Sequence, residues 1–298
     1  MFSGLSAFPL TPVNHHGIDD RAYIQLIERL AQANVDSIGA LGSTGSYVYL
    51  SREERAKVAS LAVKNAAGIP VIVGIGALRT DDVLRLAEDA QRSGAKGVLL
   101  SPVSYQKLTD DEVFGLYETV TCNLSVPLVV YDNPSTTNFT FSDELHGRIA
   151  HLPNVASIKI PGVPTDAKAA SERILRLRDK IPNHVTIGIS GDALAATGLN
   201  AGCEIWYSVI GGIFPNVALA LTKAARTGDA ILAIQLSDNL TALWNSFKNN
   251  GGSLRVVAAI AEEMGLVSAP SLPLPLYSIQ GDERDAYSGE VEQPFRPT

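Results

Sequence analysis

Eight short apolar runs, separated by longer amphipathic stretches, constrain the fold of this chain more than any other feature. The runs occupy residues 5–8, 37–41, 71–74, 97–100, 128–131, 155–158, 185–189 and 204–209. Between them, apolar side chains three and four positions apart predict amphipathic helices over residues 21–33, 52–66 and 81–92. Strands and helices thus alternate every roughly 30 residues, as βα units of a parallel sheet do. Eight such units predict an α/β fold, a closed (β/α)8 TIM barrel.

The starts of two of these helices carry recognisable signals. Ser51 is followed three residues later by Glu54, which is the spacing of a capping box. Thr80 stands in front of the next helix and is its candidate N-cap. These signals mark the residues at which the two predicted helices begin.

The region after residue 209 carries no further strand signal. Three helical patterns follow, over residues 216–226, 230–248 and 254–264. We therefore expect a barrel over residues 1–225 and a small C-terminal helical appendage with a tail over residues 226–298. The tail from residue 280 onward is polar, and it fits both a segment that crosses a neighbouring surface and one that is loosely held.

Charge and composition exclude several classes of function. The net charge of −7 argues against nucleic acid or an anionic membrane as the main partner. Hydrophobic residues make up 46% of the chain without a run long enough to span a membrane. Two cysteines, Cys122 and Cys203, cannot form a disulfide framework. Residues 1–12 lack the pattern of a signal peptide, so we expect a cytoplasmic protein.

Metal-dependent chemistry is not indicated by the sequence. No set of Asp, Glu and His residues has the spacing of a metal site. The histidines fall in predicted loops or helices, at His15, His16, His146, His151 and His184. We expect each of them to be mainly solvated.

Polar residues at the C-terminal ends of the predicted strands are the candidates for chemistry, because active sites of (β/α)8 barrels form there. Lys159 follows an apolar strand, where poor solvation favours a neutral amine that can attack a ketone. Tyr131 ends the preceding strand and could move protons beside that amine. The loop at residues 42–45 offers N–H groups and hydroxyls to a carboxylate. Each feature alone also fits a structural role, as a solvated lysine, a rim tyrosine and an ordinary turn.

The order of these features resembles the dihydrodipicolinate synthase/N-acetylneuraminate lyase family of Schiff-base aldolases, over most of the chain. The matching motifs are Ala7-Phe8-Pro9-Leu10-Thr11-Pro12, Gly42-Ser43-Thr44-Gly45, Tyr131-Asp132-Asn133-Pro134, Ile158-Lys159 and Ser190-Gly191-Asp192. The resemblance implies a class I aldolase that uses no metal and no cofactor, because the substrate forms a covalent imine with Lys159. It also implies a homo-oligomer, a dimer of dimers.

The resemblance further implies a role for each matching residue. Lys159 would form the imine with the keto carbon of pyruvate or another 2-oxo acid. Ser43 and Thr44 would bind the carboxylate, and Tyr131 would act as acid and base through the hydroxyl of Ser43. Tyr105 matches a tyrosine that is contributed across a dimer interface. The other expected substrate contacts are Gly45, Ser46, Asn133, Thr136, Asp192 and Ser208.

The chain departs from the family pattern around the second substrate. Thr136 stands where dihydrodipicolinate synthases carry an arginine that binds the carboxylate of the incoming aldehyde. A threonine cannot reproduce that bidentate contact. Ser46 replaces a glutamate, and Ser104 replaces the first tyrosine of the aromatic pair. We therefore expect a lyase that makes or breaks a C–C bond between pyruvate and an aldehyde other than aspartate semialdehyde.

Three other functions remain compatible with the sequence. One is 4-hydroxy-tetrahydrodipicolinate synthesis itself, and a second is dehydration of 2-keto-3-deoxy sugar acids. A third, non-enzymatic one is a regulatory barrel that binds a 2-oxo acid without turnover. The retained Lys159, Tyr131 and Ser43 favour an enzyme, because a binding protein needs no activated amine.

Overall fold

The computed structural model describes residues 2–280, and all eight predicted strands are present in that range. They are β1 (Gly4–Ala7), β2 (Ser37–Ala40), β3 (Val71–Gly74), β4 (Gly97–Leu100), β5 (Leu128–Tyr131), β6 (Val155–Ile160), β7 (Thr186–Ile189) and β8 (Ile205–Ser208). Each strand runs parallel to its neighbours, and β8 pairs with β1 to close the barrel. The predicted (β/α)8 barrel is confirmed. The predicted polar tail lies outside the described residues beyond Gln280.

Helices cover the outside of the barrel. They are α1 (Asp20–Gln32), α2 (Arg52–Asn65), α3 (Thr80–Arg92), α4 (Asp110–Thr121), α5 (Asp143–Ala150), α6 (Ala167–Arg178), α7 (Ala195–Asn200) and α8 (Pro215–Arg226). Short helical turns follow four of the strands, at Tyr47–Tyr49, Pro134–Thr137, Asp192–Leu194 and Ile210–Gly212. A small hairpin, Val13–Asn14 with Gly17–Ile18, follows β1. The loops after the strands form the rim on which the candidate site is built.

The inside of the barrel is filled by aromatic side chains opposite glycines. Phe8, Tyr131 and Tyr207 belong to a buried inner cluster that is separate from the larger core between strands and helices. A Cβ added at Gly39 would lie 2.3 Å from Cζ of Phe8, and one at Gly188 would lie 2.3 Å from Cε2 of Tyr207. Glycine at these two strand positions therefore leaves room for the rings that form the floor of the site.

The two predicted helix starts differ in outcome. Ser51 Oγ accepts a hydrogen bond from the N–H of Glu54 at 3.2 Å, and the Glu54 carboxylate accepts one from the N–H of Ser51 at 2.8 Å. The capping box is confirmed. The N-cap at Thr80 is wrong, because Thr80 is already the first residue of α3 and Arg79 precedes it without a side-chain hydrogen bond.

Three further helices follow the barrel, α9 (Ala230–Asp238), α10 (Thr241–Asn249) and α11 (Ser253–Glu263). The prediction of one continuous helix over residues 230–248 is wrong. The chain leaves the helix at Asn239 and Leu240, where Leu240 is buried and the Trp244 indole N–H donates to the carbonyl of Ser237 at 2.9 Å. Packing and this hydrogen bond offset the main-chain bonds lost at the break. Within residues 2–280, no helix is both long and apolar enough to cross a membrane.

Candidate active site

Lys159 lies inside the barrel mouth on β6, next to Tyr131 of β5. Only 5% of it is exposed. Its Nζ lies 3.5 Å from the centre of the Tyr131 ring and 5.1 Å from the centre of the Phe8 ring. Lys159 is therefore buried, and the alternative of a solvated lysine, which the sequence left open, is wrong.

Burial controls the ionisation of Lys159. It lowers the pKa of the amine from 10.5 to about 7, against the opposing effect of the Asp192 carboxylate. Near pH 7 a large fraction of the amine is neutral, and the neutral form is the nucleophile. A neutral amine at the closed end of a cavity is what imine formation requires.

Tyr131 holds its hydroxyl in a short hydrogen-bond chain. The Asn133 side-chain amide donates to Tyr131 Oη at 2.9 Å, and the hydroxyls of Tyr131 and Ser43 lie 3.2 Å apart. Burial raises the pKa of Tyr131, while the bonds to Ser43 and Asn133 lower it. The phenol is thus positioned to exchange a proton with a group beside Lys159 through Ser43.

The loop after β2 brings hydrogen-bond donors to the same place. The N–H groups of Gly45 and Ser46 are used inside the turn, where they donate to the carbonyls of Gly42 and Ser43. Those of Ser43 and Thr44 donate to no protein acceptor within residues 2–280. The buried hydroxyl of Ser46 also has no partner in that range. These groups are available to a carboxylate.

A cavity of about 650 Å³ opens above Lys159. The residues that the sequence predicted and that line it are Ser43, Thr44, Ser46, Tyr131, Asn133, Thr136 and Lys159. Sequence reasoning missed Tyr47, whose hydroxyl lies 2.9 Å from Ser101 Oγ and whose pKa burial raises to about 12. It also missed residues 250–255, which form the turn between α10 and α11 and the first three residues of α11. The position of Tyr47 just after the Gly-Ser-Thr-Gly loop is a signal that could have been used.

Two predicted substrate contacts, Asp192 and Ser208, do not line the cavity. Asp192 accepts hydrogen bonds from the Trp206 indole at 2.9 Å and from the main-chain N–H of Ile210 at 2.8 Å. Ser208 Oγ accepts one from the N–H of Gly211 at 2.9 Å. Both side chains therefore stabilise the loop after β8 instead of facing a ligand. Asp192 still acts on Lys159 through its charge.

Tyr105 and Gly45 also lie outside the cavity lining. Tyr105 is 86% exposed on the loop after β4. Gly45 is packed in its turn, where an added Cβ would lie 3.0 Å from Thr11 Oγ1. Close packing therefore accounts for Gly45, and within residues 2–280 Tyr105 is not part of the cavity lining.

Thr136 lies on the rim of the cavity in the turn after β5. Its hydroxyl is 3.5 Å from the carbonyl of Asn133, the outer limit of a hydrogen bond. Ser135 is exposed beside it and donates to Asn133 Oδ1 at 2.7 Å. This wall of the cavity thus presents hydroxyl groups where the family pattern has a cation.

His146 is the exception to the expectation that the histidines are solvated. It is fully buried on α5, its ring stacks on Phe141, and its Nε2 lies 3.5 Å from Asp132 Oδ2. Burial lowers the pKa of His146 to about 3 and raises that of Asp132 to about 7. The pair avoids buried charge by staying neutral over the pH range between these values. Asp132 directly follows Tyr131 at the end of β5.

The chain matches the family model "Dihydrodipicolinate synthetase family" over residues 1–293. The chain belongs to this family. A crystal structure of dihydrodipicolinate synthase from Agrobacterium tumefaciens is 43% identical with a TM-score of 0.93, and the match covers 98% of this chain and 97% of that one.

Two further relatives of this family member are more distant. The 4-hydroxy-tetrahydrodipicolinate synthase of Bartonella bacilliformis is 28% identical over 284 residues, which cover 92% of this chain and 93% of the relative. A chloride-inhibited dihydrodipicolinate synthase from Acinetobacter baumannii, solved with pyruvate, is 26% identical with a TM-score of 0.88, over 98% of each chain. Enzymes of the dihydrodipicolinate synthetase family are Schiff-base carbon–carbon lyases, and this chain is a class I aldolase or lyase of that family.

Proposed function

We propose that this enzyme makes or breaks a bond between pyruvate and an aldehyde through an imine on Lys159. The observation that carries the proposal is the amine of Lys159, buried against Tyr131 with a pKa of about 7. The relative from Acinetobacter baumannii that was solved with pyruvate supports this 2-oxo acid as the first substrate.

The chemistry follows from a neutral amine next to a phenol. Nζ of Lys159 attacks the keto carbon, and loss of water gives a protonated imine. The imine withdraws electrons, so C3 of pyruvate loses a proton and becomes an enamine carbon. That carbon forms a bond with the aldehyde carbon, whose oxygen takes up a proton. Water then hydrolyses the imine and restores the amine, and cleavage is the reverse.

The surrounding residues fit the remaining tasks. The N–H groups and hydroxyls of Ser43 and Thr44 bind the carboxylate of pyruvate. Tyr131 moves protons between the imine intermediates and the aldehyde oxygen, through the hydroxyl of Ser43. Asn133 fixes the phenol by donating to its oxygen at 2.9 Å.

The aldehyde is proposed to be one other than aspartate semialdehyde. Thr136 and its neighbour Ser135 present hydroxyls to the cavity and no cation, so the carbons next to the aldehyde meet neutral hydrogen-bonding groups. Neutral, hydroxylated or aromatic aldehydes suit such a wall better than one with a carboxylate close to the reacting carbon. The named relatives support the competing assignment, aspartate semialdehyde itself.

We also propose a homo-oligomer, a dimer of dimers, in which Tyr105 completes the site of a neighbouring subunit. Tyr105 is 86% exposed and has no role in the cavity of its own chain. A large aromatic side chain so exposed beside an active-site rim favours an interface.

Reductive trapping tests the imine. The protein is incubated with pyruvate and borohydride, and the adduct is mapped by mass spectrometry. We expect one adduct on Lys159, and Lys159→Ala should abolish both the adduct and turnover while the barrel stays folded by circular dichroism. Lys107→Ala removes an exposed lysine of the same rim and serves as the control, with trapping unchanged. An adduct that persists in Lys159→Ala would overturn the assignment.

A further inference from the structure

Part of the cavity lining comes from the C-terminal region rather than from the barrel. Asn250, Gly251, Gly252, Ser253, Leu254 and Arg255 line it, together with Leu276 from the segment that follows α11. A volume of about 650 Å³ is within the range that holds ligands much larger than pyruvate and a four-carbon aldehyde. The C-terminal region therefore contacts whatever part of a substrate extends away from Lys159.

The charges on this cavity are one-sided. Among its lining residues within 2–280, Lys159 and Arg255 are the cations, and no Asp or Glu is present. The chain as a whole carries a net charge of −7. Because Lys159 reacts as a neutral amine, Arg255 supplies the positive charge that attracts an anionic ligand to this part of the cavity.

The guanidinium of Arg255 is held in place without losing its charge. Arg255 Nη1 donates to the main-chain carbonyl of Tyr277 at 3.1 Å, and the carbonyl of Arg255 accepts from the N–H of Ile279 at 3.4 Å. Both partners are neutral main-chain groups. The bond to Tyr277 orients the side chain, and the bond from Ile279 fixes the main chain of Arg255.

Lys159 and Arg255 both line the cavity but differ in exposure. Lys159 is 5% exposed at the closed end, and Arg255 is exposed on the first turn of α11 at the rim. The hydroxyls of Ser135, Thr136 and Ser253 lie on the walls of the same cavity. An extended substrate would therefore meet donors and acceptors along its length and a cation at its far end.

We propose that Arg255 is a specificity-determining residue that binds a second carboxylate at the end of the substrate remote from the imine. The substrate class is then a 2-oxo acid with two carboxylates, the first at the Ser43–Thr44 loop and the second at Arg255, so the aldehyde of the proposed function carries its carboxylate at the end away from its reacting carbon. A terminal carboxylate accepts the two parallel N–H bonds that a guanidinium offers. The inference rests on the proposed function, since Lys159 must anchor the keto carbon for the far end to reach Arg255.

Matched pairs of 2-oxo acids test this assignment without the natural substrate. The probes are 2-oxoglutarate with 2-oxopentanoate, 2-oxoadipate with 2-oxohexanoate, and 2-oxopimelate with 2-oxoheptanoate. Members of each pair have the same carbon count and differ in the terminal carboxylate. The measurement is the concentration that gives half-maximal borohydride trapping on Lys159. For at least one chain length we expect the diacid to be preferred about tenfold, the ratio that one charge-assisted hydrogen bond of about 1.4 kcal/mol gives.

The variants separate charge recognition from a purely structural role. Arg255→Gln should abolish the preference for the diacid over the monoacid of each pair, and Arg255→Lys should keep part of the preference. Added salt should reduce the preference in the wild type. Arg176→Gln removes an exposed arginine of α6 outside the cavity and should change nothing.

The outcomes distinguish this inference from the proposed function. If pyruvate gives no adduct on Lys159 in the wild type, the proposed function fails. If the adduct forms but Arg255→Gln keeps the same ratio of diacid to monoacid, the role of Arg255 is refuted. If Arg255→Gln weakens every acid to the same extent, Arg255 anchors the segment around Tyr277 and recognises no carboxylate, which refutes the inference as well.

Discussion

The amine of Lys159 is the residue on which the chemistry of this enzyme depends. Its position on a buried strand was readable from the sequence, because the flanking residues are apolar and a barrel strand ends there. Its neighbours were only partly readable. Tyr131 and Ser43 follow strand ends, but Arg255 is nearly 100 positions away and reaches the cavity through the folding of the C-terminal helices. No local pattern encodes such a contact.

The pH dependence of trapping follows from the lowered pKa of Lys159. With a pKa of about 7, the neutral fraction of the amine rises between about pH 6 and pH 8 and is nearly complete above that. We expect the second-order rate of trapping by pyruvate and cyanoborohydride to rise over the same interval and then level off. A rate that keeps rising toward pH 10, as for an ordinary lysine, would contradict the effect of burial.

Thr136 offers a test of the choice of aldehyde. If an arginine here binds the carboxylate of aspartate semialdehyde, its absence removes a contact worth about 1.5–3 kcal/mol. This corresponds to roughly ten- to a hundredfold in kcat/KM. Thr136→Arg should shift the preference toward aspartate semialdehyde by up to that factor, measured beside a panel of neutral aldehydes. Thr140→Arg, at an exposed threonine outside the cavity lining, is the matched control. Wild-type turnover of aspartate semialdehyde above every neutral aldehyde would show that position 136 does not select the substrate.

At the scale of the elements, the sequence predicted a helix boundary correctly where local hydrogen bonds determine it. It did not predict a boundary that tertiary packing determines. The capping box at Ser51 is a local arrangement of side chain and main chain, and it was predicted correctly. The break between α9 and α10 was not predicted, because it depends on the burial of Leu240 and on the hydrogen bond from Trp244. The apolar periodicity continues across this break, so periodicity alone cannot locate it.

Alanine substitutions at the starts of α2 and α3 test whether the capping hydrogen bond at Ser51 stabilises the protein. Ser51→Ala removes a real cap and should destabilise the protein by about 1 kcal/mol. For a chain of this size the thermal midpoint should fall by about 2 °C. Thr80→Ala is the matched control. Its free energy of unfolding should stay within about 0.5 kcal/mol of the wild type, because Thr80 is not the N-cap of α3. Equal losses for the two variants would mean that the capping hydrogen bond at Ser51 contributes little.

At the scale of the whole molecule, the barrel was predictable because eight apolar runs admit few closed arrangements. The bounds of β3, β4 and β5 match the predicted runs to the residue. The shape of the substrate cavity was not predictable in the same way. Strand ends and barrel loops supply most of its lining, but residues 250–255 and Leu276 of the C-terminal region also line it, and no periodicity reveals that contact.

Assembly is the prediction that belongs to the whole molecule. Val48, Tyr49, Leu78 and Tyr105 are large apolar residues that are 54%, 46%, 67% and 86% exposed. They lie on the loops after β2, β3 and β4, which are adjacent strands, so they share one edge of the barrel mouth. A patch of this kind favours burial against a second copy of the chain. We expect a dimer or a dimer of dimers in sedimentation equilibrium at micromolar concentration.

A charge introduced into this patch tests the assembly and the role of Tyr105 together. Leu78→Asp lies outside the cavity lining, so it should weaken the dimer without touching a residue around Lys159. Burying an unpaired carboxylate is strongly unfavourable, so we expect a dissociation constant raised by at least about tenfold. If Tyr105 completes the neighbouring site, kcat should fall with the dimer as Leu78→Asp is diluted, while trapping of pyruvate on Lys159 persists. Leu175→Asp, at an exposed leucine on α6 away from the patch, should leave both the mass of the assembly in sedimentation equilibrium and kcat unchanged. A wild-type monomer with full activity would refute the interface, and a Leu78→Asp monomer with full kcat would remove Tyr105 from the reaction.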